Sequence, residues 1–441
     1  MTLHRLRVPR ARLVVAMAGV IAAAAILWLS RSYTFYFDEW DFIQSAPGWS
    51  WTSYLQPHNE HLTLLPHFIY AVLLDTVGLR SYLPYMLVLV TLHVATALLL
   101  FGLVRRRAGD AVGLAVALLL LVLGAGWEDL LWAFQIAFVG SVAFGLGMLL
   151  ALEDPPTQRR RTAAALLLAA SLTFSDIGLF FLVAGAVRVA LTPGRRRDVL
   201  WFVPVAATFA VWYLAFGHSG KSTVPHAGLE NLLALPQYTA WGLAGGAGGV
   251  IGVTGWPALA VLVVAIAAVA IDWRLHAPDP LSLGAAAGLL AFYVFTGVAR
   301  AQLGYEQAAS GRYVYIGSVF WFVLLSGPAS HVPWRGTWRP ALAACLFVAC
   351  FNSSVLLVAY GAAKAQLMQR ETADLQALAA ERTGGCLAVS GVADRLVMPQ
   401  VIDPSIYYRA IDRFGDPTAD RPVTDRRDFD AARANLGCAT P

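Results

Sequence analysis

Charged side chains are scarce in this sequence, at 13% of its 441 residues, whereas soluble globular domains carry roughly 25%. Hydrophobic residues make up 58%, and the mean hydropathy is +0.62. This shortage excludes an ordinary soluble fold, because too little charge remains to cover a water-facing surface of that size. We therefore expect lipid to solvate most of the chain, which has room for about ten helices of the length that a bilayer requires.

Acidic residues are fewer than basic ones, which gives a net charge of +5 and a pI of about 9.1. The basic residues do not form a continuous stretch but lie in short arginine clusters between apolar runs. Such clusters are typical of the cytoplasmic loops of membrane proteins. The pattern therefore argues against a nucleic-acid partner.

Cysteine is also rare, with four residues in the chain. Cys345 and Cys350 lie inside an apolar run and are expected to be buried thiols. Cys386 and Cys438 lie in a polar C-terminal segment, where a disulfide between them would suit an oxidising compartment. The sequence leaves this pairing open, because it depends on the side of the membrane that the segment occupies.

Long apolar runs are the dominant feature of what the chain does contain. The first, 13–29, follows a basic N-terminus and has no small-residue cleavage site after it, so we expect a retained helix. The others are 82–104, 111–125, 130–152, 162–174, 177–191, 199–216, 256–271, 281–299, 314–330 and 340–361. The sequence thus predicts an all-α polytopic membrane protein with about eleven transmembrane helices in residues 1–361, followed by a small tail domain, 362–441.

The distribution of basic residues predicts the orientation. Sixteen arginines fall in segments predicted to be cytoplasmic, and five basic residues fall in segments predicted to lie outside. This bias places the N-terminus in the cytoplasm and the C-terminal tail outside the cell, and the Ala- and Arg-rich usage suggests a bacterial plasma membrane. Residues 217–255 are the weak point, because a re-entrant, interfacial or additional helix around 229–250 is also consistent with their composition. An additional crossing there would invert everything downstream.

The first outside loop, 30–81, opens with an acidic motif, Tyr36-Phe37-Asp38-Glu39-Trp40-Asp41-Phe42. Crowding three carboxylates among aromatic residues is costly, since desolvation and mutual repulsion disfavour their charged forms. Proteins tolerate that cost for a divalent cation, a cationic ligand or a general base. The alternative is a solvated start of the loop, with the aromatic rings in the membrane interface.

Further polar residues are predicted on the same face. His58, Glu60 and His61 are candidates for one wall of a substrate cleft, although a surface turn is equally consistent and their spacing is not a strong metal signature. Arg312 suits a phosphate, because its guanidinium can donate two parallel hydrogen bonds. Placing an ionisable side chain next to a membrane costs free energy, so each such residue is a candidate by default. The other polar candidates on this face are Glu128, Asp129, Gln135, Asp176, Lys221, Arg300 and Tyr313.

This layout resembles the GT-C superfamily of integral-membrane glycosyltransferases. Asp38-Glu39-Trp40-Asp41-Phe42 is similar to the acidic motif after the first helix of protein O-mannosyltransferases and aminoarabinose transferases. Glu128-Asp129 stands where such families often carry a second acidic group, and His58-Asn59-Glu60-His61 resembles a motif of bacterial members of uncertain substrate. The resemblance covers the layout of residues 10–361 and leaves out the tail.

The resemblance implies an enzyme that transfers a hexose or pentose from a polyprenyl-phosphate donor to an extracytoplasmic hydroxyl, with inversion. Asp38 would be the general base, while Glu39 or Asp41 would orient the acceptor or bind a divalent cation, the one cofactor implied. Arg312 would hold the leaving phosphate. Beyond the donor and membrane lipids, the partner is an acceptor glycan, lipid or protein, and no motif in the chain distinguishes these.

Two other functions use the same acidic face. A transporter or flippase of lipid-linked sugars would place ionisable groups near the middle of its spans, whereas here they collect at one interface. A ligase or polymerase of lipid-linked glycans shares the phosphate clamp and usually has a large central outside loop, for which residues 217–255 are modest. The sequence favours the glycosyltransferase and leaves the sugar, the metal requirement and the oligomeric state open.

Overall fold

The computed structural model of the protein describes residues 10–153, 155–220, 228–332, 338–384, 404–419, 421–423 and 425–436. Within these ranges the chain is helical and forms no β-strand, which confirms the all-α prediction. The predictions for Lys221 and for a disulfide between Cys386 and Cys438 lie outside the described residues. Cys345 is exposed on the bundle surface and Cys350 is half-buried, so the prediction of a buried thiol is wrong for Cys345, which faces outward from its helix.

Each of the eleven predicted apolar runs coincides with part of an α-helix. The helices of the described residues are α1 Ala11–Leu29, α2 Glu39–Ser45, α3 Leu64–Thr76, α4 Leu83–Ala108, α5 Asp110–Leu121, α6 Trp127–Leu131, α7 Ile136–Ala151, α8 Gln158–Phe174, α9 Gly178–Leu191, α10 Val203–Ala215, α11 Leu229–Gly249, α12 Pro257–Leu275, α13 Pro280–Arg300, α14 Gly311–His331, α15 Trp338–Gly384, α16 Pro404–Phe414 and α17 Arg426–Asn435. Short 3-10 turns join several of them.

Among the described residues, eight helices are long and apolar enough to cross a membrane. A ninth crossing results if Asp110–Leu121 and Gly124–Leu131, which meet at a bend of 43°, form one broken span. Helix α9 has only 14 residues, which reach about 21 Å, less than the roughly 30 Å of a hydrocarbon core. The structure therefore shows a polytopic protein, and the count of about eleven stays a prediction.

The two ends of the bundle differ in chemistry. At one end, which we call the arginine face, Arg107 contacts Asp279, Arg188 lies 2.9 Å from Glu153, and Arg195 pairs with Asp198. These pairs tie together the ends of α4, α9 and α13 and the loops that follow α7 and α9. At the opposite end, which we call the loop face, the first long loop packs over the helices, as the indole of Trp212 shows by donating to the carbonyl of Leu55 at 2.8 Å.

Helix α11 begins and ends in the half of the bundle next to the loop face. Near its start, Asn231 donates to the carbonyl of Val298, in the last turn of α13, at 2.8 Å. Near its end, the carbonyl of Gly246 accepts from Ser318, two turns into α14, at 2.9 Å. Glycine allows this approach, since a Cβ at Gly242 would overlap the ring of Tyr293. The helix considered at 229–250 is therefore present, and both of its ends contact the half of the bundle next to the loop face.

Helix α15 is a single element of 47 residues, about 70 Å long. Its first half is the predicted last span, and its second half stands above the loop face, where Arg382 pairs with Asp412 of α16 at 2.6 Å. Nearby, Arg433 of α17 lies 2.6 Å from Glu381. The predicted boundary between residues 361 and 362 therefore falls inside a continuous helix, and the C-terminal helices are braced against its upper half.

Candidate functional site

The acidic motif lies where the chain leaves α1 and turns into the short helix α2. Phe37 has a left-handed backbone, with φ +50°, which redirects the chain so that Asp38 precedes the helix. Glu39 and Asp41 fall in the first turn of α2, where the positive end of the helix dipole favours carboxylates. The turn separates Glu39 from Asp38 and Asp41, and this separation decides what each acid can do.

Glu39 is fully buried, with an exposed fraction of 0%. Its carboxylate accepts from the Tyr70 hydroxyl at 2.6 Å and from the Tyr36 backbone N–H at 2.9 Å, while the Tyr82 hydroxyl contacts both oxygens. Burial raises the pKa of Glu39 to about 7, although these donors oppose the rise. Glu39 therefore holds the loop to the bundle and does not face the open side of the motif.

The burial of Glu39 makes a prediction about stability. The folded protein holds this proton up to about pH 7, whereas the unfolded chain releases it near its ordinary pKa, so stability is lost as pH rises through that window. We expect Glu39→Gln to remove this loss, which is worth about 3 kcal/mol at most, and to raise the melting temperature (Tm) at pH 8 relative to wild type. The Tyr70 and Tyr82 hydroxyls can rotate to accept from the amide.

The matched control is Glu39→Ala, which removes the acceptor and leaves buried hydroxyls unpaired. It should lower Tm at both pH 5 and pH 8, measured on the purified protein in detergent. A Glu39→Gln variant that is destabilised as strongly as Glu39→Ala would show that the negative charge itself is required.

Asp38 and Asp41 meet His58 on the open side of the motif. One potential ligand atom from each of these residues lies within 4.8 Å of the other two. Burial, followed by the charge of Asp38, raises the pKa of Asp41 to about 7. Burial lowers the pKa of His58 to about 3, so its imidazole is neutral. Its Nε2 is buried and has no hydrogen-bond partner among the described residues, as an unused metal-ligand atom would be.

The turn His58-Asn59-Glu60-His61 aims two histidines in different directions. The backbones of His58 and His61 exchange hydrogen bonds of 3.1 and 3.0 Å, and Asn59 between them has a φ of +53°. His61 lies 2.8 Å from Asp176. Burial acts against the ionised carboxylate, but His61, Ser175 and Arg300 together outweigh burial and lower the pKa of Asp176. The turn therefore contributes His58 to the acids and uses His61 to tie the loop to the bundle, while Glu60 is half-buried.

Arg312 brings positive charge to the acidic motif from the first turn of α14. Its Nε lies 3.4 Å from Glu128 Oε2, and the side chain keeps 27% of its surface exposed. The Arg312 guanidinium also lies close enough to Asp38 and Asp129 to interact with their charges. Asp129 itself is fully buried, and neither of its oxygens has a hydrogen-bond partner among the described residues. Asp38, Glu128 and Asp129 thus all lie within electrostatic reach of Arg312.

Two predicted substrate-binding residues point into the bundle. Tyr313 is 3% exposed, and its carbonyl accepts from the Tyr293 hydroxyl at 3.2 Å. Gln135 is 2% exposed, in the 3-10 turn before α7. Both side chains are buried, but the centre of the Tyr313 ring lies 5.8 Å from the Arg312 guanidinium carbon, so Tyr313 borders the site from below.

Lys364 and Glu371 were not among the residues predicted for the site. The Lys364 ammonium lies 3.2 Å from the centre of the Tyr36 ring, a cation–π contact, and it interacts with the charge of Glu128. Glu371 is fully buried and accepts from the Trp40 indole at 2.8 Å. They lie two turns apart on one face of α15. Lys364 is one of only two lysines in the chain. This spacing and this rarity were the features of the sequence from which a role at the site could have been predicted.

The described site therefore combines the carboxyl groups of Asp38 and Asp41 and the neutral imidazole of His58 with two basic groups, Arg312 and Lys364. Carboxylates can accept a proton or bind a cation, and arginine and lysine can bind a phosphate. Comparison with protein-family models found no match to this chain, and comparison with curated proteins found none either. The similarity to GT-C enzymes thus remains a resemblance, and a functional assignment depends on the chemistry of these residues.

Proposed function

We propose that the protein is a membrane glycosyltransferase that moves a sugar from a polyprenyl-phosphate donor to the hydroxyl of an acceptor at the loop face. The observation that carries this proposal is the convergence of Asp38, Asp41 and His58 with Arg312. A proton acceptor and a phosphate-binding cation side by side, where the helices meet the loops, suit a donor whose lipid lies in the bilayer. The acceptor, whether glycan, lipid or protein, would approach from the loop side.

The reaction needs few protein groups, because a phosphate is already a good leaving group. The acceptor oxygen attacks the anomeric carbon while the bond from that carbon to the phosphate oxygen breaks, with inversion. The proton of the acceptor hydroxyl passes to Asp38, and the bonding electron pair leaves with the polyprenyl phosphate. General-base catalysis of this kind contributes about 10²–10⁴-fold.

Arg312 would bind the phosphate and offset the charge that develops on it. In the described structure this guanidinium faces Glu128 at 3.4 Å, longer than a good charge-assisted hydrogen bond. A phosphate can therefore accept hydrogen bonds from the Arg312 guanidinium without breaking a tight ion pair. Lys364, which also interacts with the charge of Glu128, is a second basic group, although burial lowers its pKa to about 7. Fixed cations in a site that excludes water stabilise leaving anions strongly.

Asp38, Asp41 and His58 are the residues that would hold a divalent cation. Two carboxylate oxygens and one imidazole nitrogen suit Mn²⁺ among the common choices, and the orphaned Nε2 of His58 supports this fit. Such an ion would supply further positive charge toward the phosphate. Asp38 would still accept the proton through its second oxygen.

This site makes a prediction about metal binding. We expect His58→Ala to weaken Mn²⁺ binding by at least about tenfold, since it removes a ligand atom, while the fold is unchanged. Mn²⁺ binding is measured on the purified protein by electron paramagnetic resonance. His67→Ala, which removes a nearby imidazole stacked on Phe42, is the control and should retain affinity. Equal binding by wild type and His58→Ala would remove His58 from the ligand set.

We also propose the membrane placement. Eleven helical segments run between the arginine face and the loop face, with α8 and α9 as short crossings shielded by neighbours. Since α11 returns to its own side, the tail lies on the loop face, opposite the N-terminal end of α1. The arginine bias then makes the loop face extracytoplasmic, in a bacterial plasma membrane.

The function is tested with the purified full chain in liposomes that contain radiolabelled polyprenyl-phosphate hexoses and pentoses. Release of polyprenyl phosphate coupled to a labelled product, or to hydrolysis by water, supports the proposal. Liposomes in which the labelled donor changes leaflet without losing its sugar would instead identify a flippase. No turnover of any donor, with the same membranes active toward a glycan ligase substrate, would favour a ligase.

One observation favours the flippase as a second candidate. Inside the helices, His93 Nδ1 lies 2.9 Å from the Tyr315 hydroxyl, and both residues are fully buried. Tyr315 in turn interacts with Asp129. Buried polar groups of this kind can couple transport to the movement of an ion. If the protein is a flippase, His93→Phe would abolish flipping. If it is a glycosyltransferase, the same variant would still transfer sugar.

A further inference from the structure

A second cluster of metal-ligand side chains lies on the arginine face, at the opposite end of the bundle from the proposed active site. Asp272 is in the last turn of α12, His276 follows it by four residues, and His331 ends α14. The i,i+4 spacing puts the first two side chains on one helix face. One potential ligand atom from each of the three lies within 4.8 Å of the other two.

Both imidazoles are directed at the same carboxylate oxygen. His276 Nδ1 lies 3.1 Å and His331 Nδ1 2.8 Å from Asp272 Oδ1. The rings are stacked, with their centres 3.7 Å apart and an angle of 8° between their planes. Two imidazoles and a carboxylate therefore converge where the ends of α12 and α14 meet, and both kinds of group are common metal ligands.

The surroundings leave room for an ion and its water. The three residues line an open cavity of about 580 Å³. Arg107, Arg188 and Arg195, which also line the cavity, contact Asp279, Glu153 and Asp198 respectively. The histidine cluster is the part of the cavity whose side chains are metal ligands.

We propose that Asp272, His276 and His331 bind a divalent transition metal, with Zn²⁺ as the best fit. Two nitrogens and one oxygen match the ligand sets of zinc and not the oxygen-only sets of Mg²⁺ and Ca²⁺. Ligand atoms around zinc lie about 2.0–2.2 Å from the metal, so the two stacked rings would have to turn until one nitrogen of each points at the ion. The fourth position faces the cavity and takes a water molecule.

This site joins the ends of α12 and α14. Helix α14 also carries Arg312 at its other end, in the proposed phosphate site. A metal at His331 would therefore brace the helix that positions the phosphate-binding cation. The inference concerns metal binding on the arginine face and does not depend on glycosyl transfer.

The test uses the full chain in detergent, with a purification tag that contains no histidine, and with His58→Ala as background to silence the first candidate site. Co²⁺ is the spectroscopic probe, and Zn²⁺ competes with it. We expect one equivalent of Co²⁺ with visible absorption bands of a four-coordinate site, displaced by Zn²⁺. His276→Ala and His331→Ala should each weaken binding by about 10–100-fold.

The control is His218→Ala, which removes an exposed histidine at the loop face and should bind Co²⁺ as the background does. A measurement that needs no variant is labelling by diethyl pyrocarbonate, read by mass spectrometry, in which Zn²⁺ should protect His276 and His331 and leave His218 reactive. Absence of both the absorption bands and the protection, or equal Co²⁺ binding by all variants, would overturn the proposal.

Discussion

Replacing Asp38 by asparagine is expected to lower the rate of sugar transfer by about 10²–10⁴-fold, the usual contribution of a general base. Asparagine keeps the size and the hydrogen-bonding capacity of the side chain, but it cannot take the proton of the acceptor hydroxyl. The binding of the donor should change little, so the loss should appear in kcat and not in KM. The measurement is the initial rate of transfer in liposomes at saturating donor.

The control for Asp38→Asn is Asp75→Asn. Asp75 belongs to the same long first loop and is largely exposed, where it pairs loosely with Arg413 at 3.4 Å, so the loss of its charge should leave transfer within about twofold of wild type. Full activity of Asp38→Asn would exclude Asp38 as the base. In that case Asp41→Asn becomes the decisive variant, because the pKa of Asp41, raised to about 7 by burial and by Asp38, also suits proton transfer near neutral pH.

Arg312→Gln is expected to lower kcat by about 10²–10³-fold, which is the usual effect of removing one hydrogen-bond donor that stabilises a developing anion in an enzyme. The glutamine cannot offset the charge that develops on the leaving phosphate. Arg312→Lys keeps the charge but loses the two parallel donors, so its activity should fall between those of wild type and Arg312→Gln. The same liposome assay measures both variants.

A second variant distinguishes a loss of catalysis in Arg312→Gln from a loss of folding. Arg312→Gln leaves Glu128 without its cation, whereas the double variant Arg312→Gln with Glu128→Gln removes both charges and should recover folding but not activity. Arg413→Gln, which removes an exposed arginine above the same face, is the matched control and should remain active. If the double variant transferred sugar at the wild-type rate, Arg312 would serve only to neutralise Glu128.

Hydropathy predicted the helices well because the requirement that a bilayer imposes is local: about 20 apolar residues must follow one another. All eleven runs became helical for that reason. The path of α11 was not decidable from the sequence, since a helix that enters and returns has the same composition as one that crosses. Its path depends on close contacts such as that between Gly242 and the Tyr293 ring, which are set by residues far apart in the chain.

The site was predicted in part for a similar reason. Loop position gave Asp38, Asp41, His58, Glu128 and Arg312, because residues on one side of a membrane have few places to meet. Position alone did not reveal that Glu39 lies below the motif, bound by Tyr70 and Tyr82. Asp38 and Glu39 are consecutive in the sequence, but consecutive side chains around a helical turn point in different directions.

The residues missed by the sequence lie on α15, and the reason is its continuity. A polar segment after the last apolar run suggested an independent tail, whereas Lys364 and Glu371 belong to a helix that began inside the bundle. Only the long-range contacts, such as that of Glu371 with the Trp40 indole, reveal that this helix completes the site.

The unbroken path of α15 also has a consequence for modularity. A domain joined by a flexible linker can be removed or exchanged without disturbing its neighbour. A continuous helix that belongs both to the bundle and to the segment above the loop face cannot. A chain shortened after Gly361 would lose the ammonium above Tyr36 and the acceptor of the Trp40 indole. The upper half of α15 therefore covers the acidic motif, so a substitution in this half of the helix and one in the first loop would not be independent of each other.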